Sequence, residues 1–158
     1  MAFLSGRLER LAQSYAAEHG IDVTTIPGAG AAGGLAGGLA ALGGKLMPGF
    51  DIVAEETRFD DAVENCDLVV TGEGLLDETS FRGKVVGSVV EWTESVGVPV
   101  RAVVGAVADS LPEETRHRVG AVDLVSLFGR ETAMREPMRC IEDAAREMLR
   151  EFVGSRRS

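Results

Sequence analysis

Between residues 3 and 19 the apolar side chains Phe3, Leu4, Leu8, Leu11, Tyr15 and Ala16 recur at steps of three and four, with Arg7, Glu9, Arg10, Gln13 and Glu18 between them. That spacing lays one apolar stripe along a helix of 3.6 residues per turn, and Gly20 is placed to end it. "IDVTTIP" reads as a connector or short strand. In "GAGAAGGLAGGLAALGG" the alanines and leucines predict a helix over residues 31–42. Each interior glycine there costs about 1 kcal/mol against alanine, a cost that only close backbone packing would justify. Pro48 opens a further helix through "GFDIVAEETRF", and "DDAVENC" predicts another short one with a solvated acidic face.

The second half is more regular. "DLVV", residues 67–70, is an apolar run of strand length followed by turn residues, and Ser80 is placed to cap a helix that runs to residue 96 and stops at Gly97. "VPVRAVVGA" predicts the next strand, "PEETRHRV" a short helix with Pro112 in its first turn, and "AVDLVSLF" a third strand. Residues 135–153 close the chain as an amphipathic helix whose inner face carries Met138, Ile141, Ala145, Met148, Leu149 and Phe152. Strand and helix alternating over short connections predict a three-layer α/β fold, a parallel β-sheet with helices on both faces in the Rossmann or flavodoxin manner. The helical, glycine-rich segment 1–50 precedes it, and residues 51–158 form the sheet domain of one compact unit.

Composition narrows the function classes. With 158 residues and 45% apolar content, the chain supports one domain with a real core. A formal charge of −9 repels polyanions, so a nucleic-acid binder is not expected; the one dense basic cluster is the tail "GSRRS". Cys66 and Cys140 lack metal-like spacing and suit free thiols in a reducing compartment. His19 and His117 have no second ligand at metal spacing and read as surface or helix-end residues. Trp92 and Phe128 read as core or interface residues. Charges interrupt the opening helix too early for a secretory leader. The uncharged stretch 26–44 holds eight glycines and little hydrophobic bulk, too little for a membrane span. A cytoplasmic protein without membrane association is the expectation.

Two glycine-rich segments carry candidate chemistry. "TGEGLLDETSFRGK", residues 71–84, follows the first strand, where the loops of a parallel sheet form the ligand crevice. Gly72 and Gly74 would let backbone approach a ligand or adopt positive φ. Glu73 and Asp77 would hold a magnesium ion or accept a proton, and Lys84 would offer a point charge to a phosphate. The other reading is a turn with solvated charges in which Asp77 or Ser80 only caps the next helix. "GAGAAG", residues 28–33, fits the G-x-G-x-x-G dinucleotide pattern, but "DVTTIP" is a poor, proline-ended strand before it. A helix N-terminus whose amides near Gly28, Gly30 and Ala31 face a carboxylate or phosphate fits better. A helix thinned by glycine for tight packing is the alternative.

"PGAGAAGGLAGGLAALGGKLMPG", "CDLVVTGEGLLDETSFRGK" and "GVPVRAVVGA", in this order and at these distances, resemble the carboxyl-terminal half of the type I glycerate kinases. The final "AVDLVSLFGRETAMREPMRCIEDAAREMLREF" is similar to that family's last strand, loop and helix. The resemblance covers nearly the whole chain, and "TGEG…D…GK" is its most specific block. It implies phosphoryl transfer from ATP, with Mg2+, to a hydroxyl of D-glycerate at an interdomain site. Gly28 and Gly30 match the family's glycine loop; Thr71, Gly72, Glu73, Gly74, Asp77, Ser80, Gly83 and Lys84 match its second block. Leu75 stands where arginine is frequent and Thr79 where glutamine is usual, which changes the donors offered to a substrate. The family's upstream "DSFKGS" and "DGGEGT" elements do not occur here.

The resemblance therefore implies a truncated or split kinase that needs an amino-terminal partner half or a homo-oligomer. The competing expectation is a non-catalytic module that keeps the fold and binds a small anion or serves assembly. A nicotinamide-type nucleotide binder built on "GAGAAG" is the third.

Overall fold

The computed structural model describes residues 2–156, with backbone alone at Ala2 and Phe3, so the expected burial of Phe3 and the tail residues Arg157 and Ser158 lie outside the described residues. The chain divides into two compact units, Met1–Gly49 and Phe50–Ser158.

In the first unit, α1 spans Ala2–His19 and stops where Gly20 turns left-handed at φ +69°. The expected helix over 31–42 does not start at Ala31. Ala31–Gly34 form a 3-10 turn that winds left-handed at Ala32, Gly33 and Gly34, and α2 runs only over Leu35–Ala41. The glycines cause this, since they accept positive φ without strain and so favour a kink over continued helix. Close approach is also present: Gly37 lies against the Ala29 carbonyl, and a Cβ there would sit 3.0 Å from that oxygen. Val23, Ala29 and Ala41 form this unit's small core.

The second unit opens with α3 (Gly49–Thr57) and α4 (Phe59–Glu64). Strand β1 covers Val69–Leu76, α5 Val85–Val96, β2 Val100–Val107, α6 Glu113–Val119 and β3 Ala121–Asp123. Helices α7 (Leu124–Phe128), α8 (Arg130–Arg135) and α9 (Pro137–Ser155) complete it. The strands are parallel in the order β1-β2-β3, with Val69 opposite Val100, Leu76 opposite Val107, and Ala102 opposite Ala121.

The sheet is covered on both faces. Val86, Val89 and Val90 of α5 with Val119 of α6 bury against Leu76, Val100, Ala102 and Val104. On the opposite face Leu124, Ala133, Cys140, Ala144 and Met148 pack on Val103. The three-layer α/β expectation holds. Helix α5 shows why: its valines repeat at i, i+3 and i+4, and it ends in a Schellman turn, the Gly97 amide donating to the Glu94 carbonyl at 3.2 Å and the Val98 amide to that of Thr93 at 2.9 Å. Glu94 and Arg118 then form a forked ion pair that ties α5 to α6.

Three expected elements differ. β1 begins at Val69 and continues six residues past Val70, so Thr71, Gly72, Glu73 and Gly74 are strand, not loop. Glycine in this strand serves close approach: a Cβ on Gly72 would lie 2.4 Å from the Val103 carbonyl oxygen, and one on Gly105 would lie 2.5 Å from that of Gly74. The third strand is cut to three residues, because the Asp123 carboxylate accepts from the Ser126 amide at 3.0 Å and starts α7 there. The inner face of α9 is Cys140, Ala144 and Met148, whereas Met138, Ile141 and Leu149 are exposed. Small residues let this helix lie close to the sheet, and that closeness outweighs the larger apolar side chains.

Cys66 and Cys140 are free thiols, and His117 is an exposed partner of Glu113 on α6. Trp92 stacks edge-on against Phe59. Among the described residues no helix is long and apolar enough to cross a membrane.

Candidate active site at the carboxyl edge of the sheet

Because all three strands run parallel, their carboxyl ends share one edge, where β1 ends at Leu76, β2 at Val107 and β3 at Asp123. Asp77 leaves this edge directly after β1. It caps a 3-10 turn, Glu78–Phe81, whose Thr79 amide and hydroxyl both donate to Asp77 Oδ1 at 2.7 Å. The Asp77 amide in turn donates to Ser80 Oγ at 3.0 Å, closing a capping box around the fully buried Ser80. Ser80 therefore belongs to this turn and does not cap α5; Lys84 holds that N-cap position.

Lys84 Nζ donates to Thr79 Oγ1 at 2.6 Å. One hydroxyl thus bridges the amine to the carboxylate, and the loop between β1 and α5 presents Asp77, Thr79 and Lys84 as one exposed, ordered network. The hydrogen bonds from Thr79 hold the Asp77 carboxyl below its ordinary 3.8 against an opposing loss of hydration, and Lys84 and the Ser80 amide add lesser contributions in the same direction. A group with a depressed folded-state pKa stabilises its surroundings above its unfolded value and loses that contribution as pH falls. The Thr79 amide resonance is accordingly expected to titrate with a midpoint below 3.8, and Asp77→Asn should abolish the titration. A midpoint at or above the free aspartate value would contradict the cap.

Glu73 stands elsewhere on the same strand. By register it pairs with Val104, on the face that α5 covers. Its Oε1 is buried and has no hydrogen-bond partner among the described residues, and nothing links it to the Asp77–Lys84 network. A carboxylate oxygen removed from water without a donor is costly and suits a site completed by another group. The structure thus brings together Asp77, Ser80 and Lys84 of the predicted residues, with Thr79 as a bridge that sequence reasoning treated only as a departure. Thr71, Gly72 and Gly74 form the strand behind them.

Gly28, Gly30 and Ala31 lie in the first unit. The Ala29 amide donates to the Ile26 carbonyl at 3.1 Å and the Ala31 amide to that of Gly28 at 2.9 Å, so these two are not free for an anion. A cleft of about 250 Å³ beside the loop is walled by Leu8, Leu11, Tyr15, Val23 and Ile26, with Glu9 the one charged group on it. No cation faces it.

Sequence reasoning missed Asp123. Its Oδ2 accepts from the Val107 amide at 3.2 Å and from the Ser126 hydroxyl at 2.9 Å, which ties the ends of β2 and β3 together. The spacing Asp-x-x-Ser at 123–126, repeated at 77–80, is the signal that would have found both turns.

The model of the glycerate kinase family matches residues 1–153. A glycerate kinase of Halalkalibacterium halodurans is 36% identical over 148 residues, 92% of this chain and 39% of that protein. Glycerate 2-kinase of Escherichia coli is 37% identical over 103 residues, 65% of this chain and 27% of that protein. An uncharacterised protein of Mycobacterium bovis is 37% identical over 149 residues, 94% of this chain and 38% of that protein. The chain spans well under half the length of these curated relatives.

Proposed function

Since the chain belongs to the glycerate kinase family, we propose that it supplies the carboxyl-terminal portion of an ATP-dependent kinase that phosphorylates a hydroxyl of D-glycerate. The observation that supports this most directly is the ordered Asp77–Thr79–Lys84 network at the carboxyl edge of a parallel sheet. Phosphoryl transfer asks little covalent chemistry of a protein and depends on placing charge around the moving phosphoryl group. Lys84 is placed to neutralise phosphate oxygens.

The two carboxylates divide the remaining work. Asp77, already holding two hydrogen bonds and depressed in pKa, is a poor proton acceptor and suits the metal-facing role. Glu73, with an unpartnered oxygen, suits acceptance of the glycerate hydroxyl proton. In the balanced step, the hydroxyl oxygen bonds to the γ-phosphorus, the bridging P–O bond to ADP breaks, and the proton passes to the carboxylate. Among the described residues no cluster of three His, Cys, Asp or Glu could hold a metal. Magnesium in kinases commonly takes one or two carboxylates and completes its shell with phosphate and water, so Asp77 alone would fit that donor set as its one protein carboxylate. Bound there, Mg2+ would neutralise charge on the β- and γ-phosphates.

A second reading is a non-catalytic module. The hydrogen bonds of Asp77 are all local, to residues two and three positions on, as a plain cap makes. ADP release from Mg-ATP and D-glycerate separates the two, measured on this chain alone and mixed with the amino-terminal portion of a full-length relative. D-glycerate-dependent release in the mixture is the expected result. Its absence, with both proteins folded, would favour the module.

A further inference from the structure

Building on the reading of the chain as part of a kinase, we infer that Arg116 is a positioning residue for the carboxyl-edge site. From α6 it fixes the turn that follows β2, and through that turn the strand end from which Asp77 departs.

Strand β2 ends at Val107, and the chain then folds into a tight turn in which the Leu111 amide donates to the Ala108 carbonyl at 3.0 Å. Three carbonyls of this turn converge on one guanidinium. Arg116 Nε donates to the Leu111 carbonyl at 3.0 Å, and its Nη2 donates to those of Ala108 at 2.8 Å and Asp109 at 3.3 Å. Carbonyl oxygens gathered in this way repel one another unless a cation lies among them, and bonds to a charged donor are roughly twice as strong as neutral ones. A planar fork meets several acceptors at once, which the point charge of lysine does not. The basic residues that follow on α6 are used differently: His117 pairs with Glu113 and Arg118 with Glu94, whereas Arg116 is half-buried and turned to backbone. The side chain of Leu111, buried in the core beneath α5 and α6, anchors the turn from its other side.

The turn reaches the site through one bond. The Ala108 amide donates to the Leu76 carbonyl at 2.9 Å, one rung beyond the pairing of Leu76 with Val107. Leu76 is fully buried and closes β1, and Asp77 follows it directly in extended backbone. The hydrogen bonds among Asp77, Thr79, Ser80 and Lys84 fix the shape of their loop; the Ala108 rung ties that loop to the level of β2. Removing the guanidinium leaves three carbonyls to turn toward water and loosens the rung. A misplacement of about 1 Å at a reacting centre costs roughly 10²-fold in rate.

The experiment reads amide exchange and amide resonances of the chain alone in Arg116→Met, which keeps the apolar stem and removes the fork. The expected result is exchange faster by about tenfold or more at the Ala108 and Leu111 amides, together with a displaced Thr79 amide resonance. Arg118→Met breaks the Glu94 pair on the same helix and should leave these signals in place, which separates loss of the brace from general loosening of α6. Arg116→Lys, the milder variant, keeps the charge and should show the same changes at smaller size. In the assembled kinase, Arg116→Met should lower kcat by roughly 10- to 100-fold and move the KM for Mg-ATP far less. Unchanged exchange at Ala108, a Thr79 resonance that stays in place while Ala108 loses protection, an Arg116→Lys chain that matches wild type in every signal, or ADP release by Arg116→Met at the wild-type rate would each overturn the inference. If the wild-type mixture releases no ADP while the resonances change as expected, the kinase reading fails and the brace stands.

Discussion

Lys84→Ala in the assembled kinase should lower kcat by roughly 10²- to 10³-fold, the loss typical when one preorganised charge-stabilising donor is removed from a reacting centre. Stability should barely move. Lys84 is exposed and makes one side-chain hydrogen bond, to Thr79, and surface polar interactions of this kind contribute about 0–1 kcal/mol. The split between a large kinetic loss and an unchanged melting point distinguishes an amine that faces the phosphoryl group from one that only braces the turn. Lys84→Arg is expected to restore little, because a planar fork cannot occupy the position of a point charge bonded to a single hydroxyl. Thr79→Val provides a second comparison. It removes the bridge but keeps the amine, so it should free Lys84 from Asp77 and cost less than deletion of the charge. Equal rates for the wild type and Lys84→Ala would end the assignment of this residue to the phosphate.

How far the chain could be read in advance depended on what decides each element. Helix α5 and strand β2 are decided by local periodicity and sharp ends, valines at helical spacing up to Gly97 and a continuous apolar run after Pro99, and both were legible. Gly72 and Gly74 look like turn residues and so suggest a strand that ends at Val70. Their reason is tertiary: the Val103 carbonyl passes too close to Gly72 for a side chain, a fact held by the neighbouring strand. The same cause places Glu73 on the sheet and not in the loop. α9 shows the limit in another form. Bulky Met138 and Ile141 suggested its inner face, yet the sheet accepts Cys140 and Ala144, because interaxial closeness is set by the smallest residues at a contact. The left-handed run at Ala32, Gly33 and Gly34 was hidden for a related reason, since alanine at φ +51° goes against its own preference and is imposed by its surroundings. In the site, residue types and order exposed Asp77 and Lys84. The hydroxyl that joins them was visible only as a residue out of pattern.

Gly87→Ala is the sharpest structural test, since two effects of opposite sign meet there. Glycine inside α5 should be improved by alanine by about 1 kcal/mol on helix propensity alone. But a Cβ on Gly87 would lie 2.6 Å from the Ser80 carbonyl oxygen and 2.7 Å from the Phe81 Cα. Both are backbone atoms, which cannot swing aside as a side-chain tip would, and overpacking of this kind costs about 1–3 kcal/mol. The two magnitudes predict a net loss of about 0–2 kcal/mol, a fall in thermal midpoint of up to roughly 8 °C for a chain of this size. Ser88→Ala, one position on at a half-buried site, should be neutral or slightly stabilising, because alanine keeps the Cβ that serine already has and adds no atom to the packing. The displaced atoms belong to the turn that carries Ser80, so the strain should also reach the capping box. The Asp77–Thr79–Lys84 network should loosen, and kcat in the assembled kinase should fall together with stability, unlike the Lys84→Ala pattern. A Gly87→Ala chain that melts higher than wild type and keeps its Thr79 amide shift would show that α5 does not press on this turn, and the ordered placement of Asp77 and Lys84 would then need another cause.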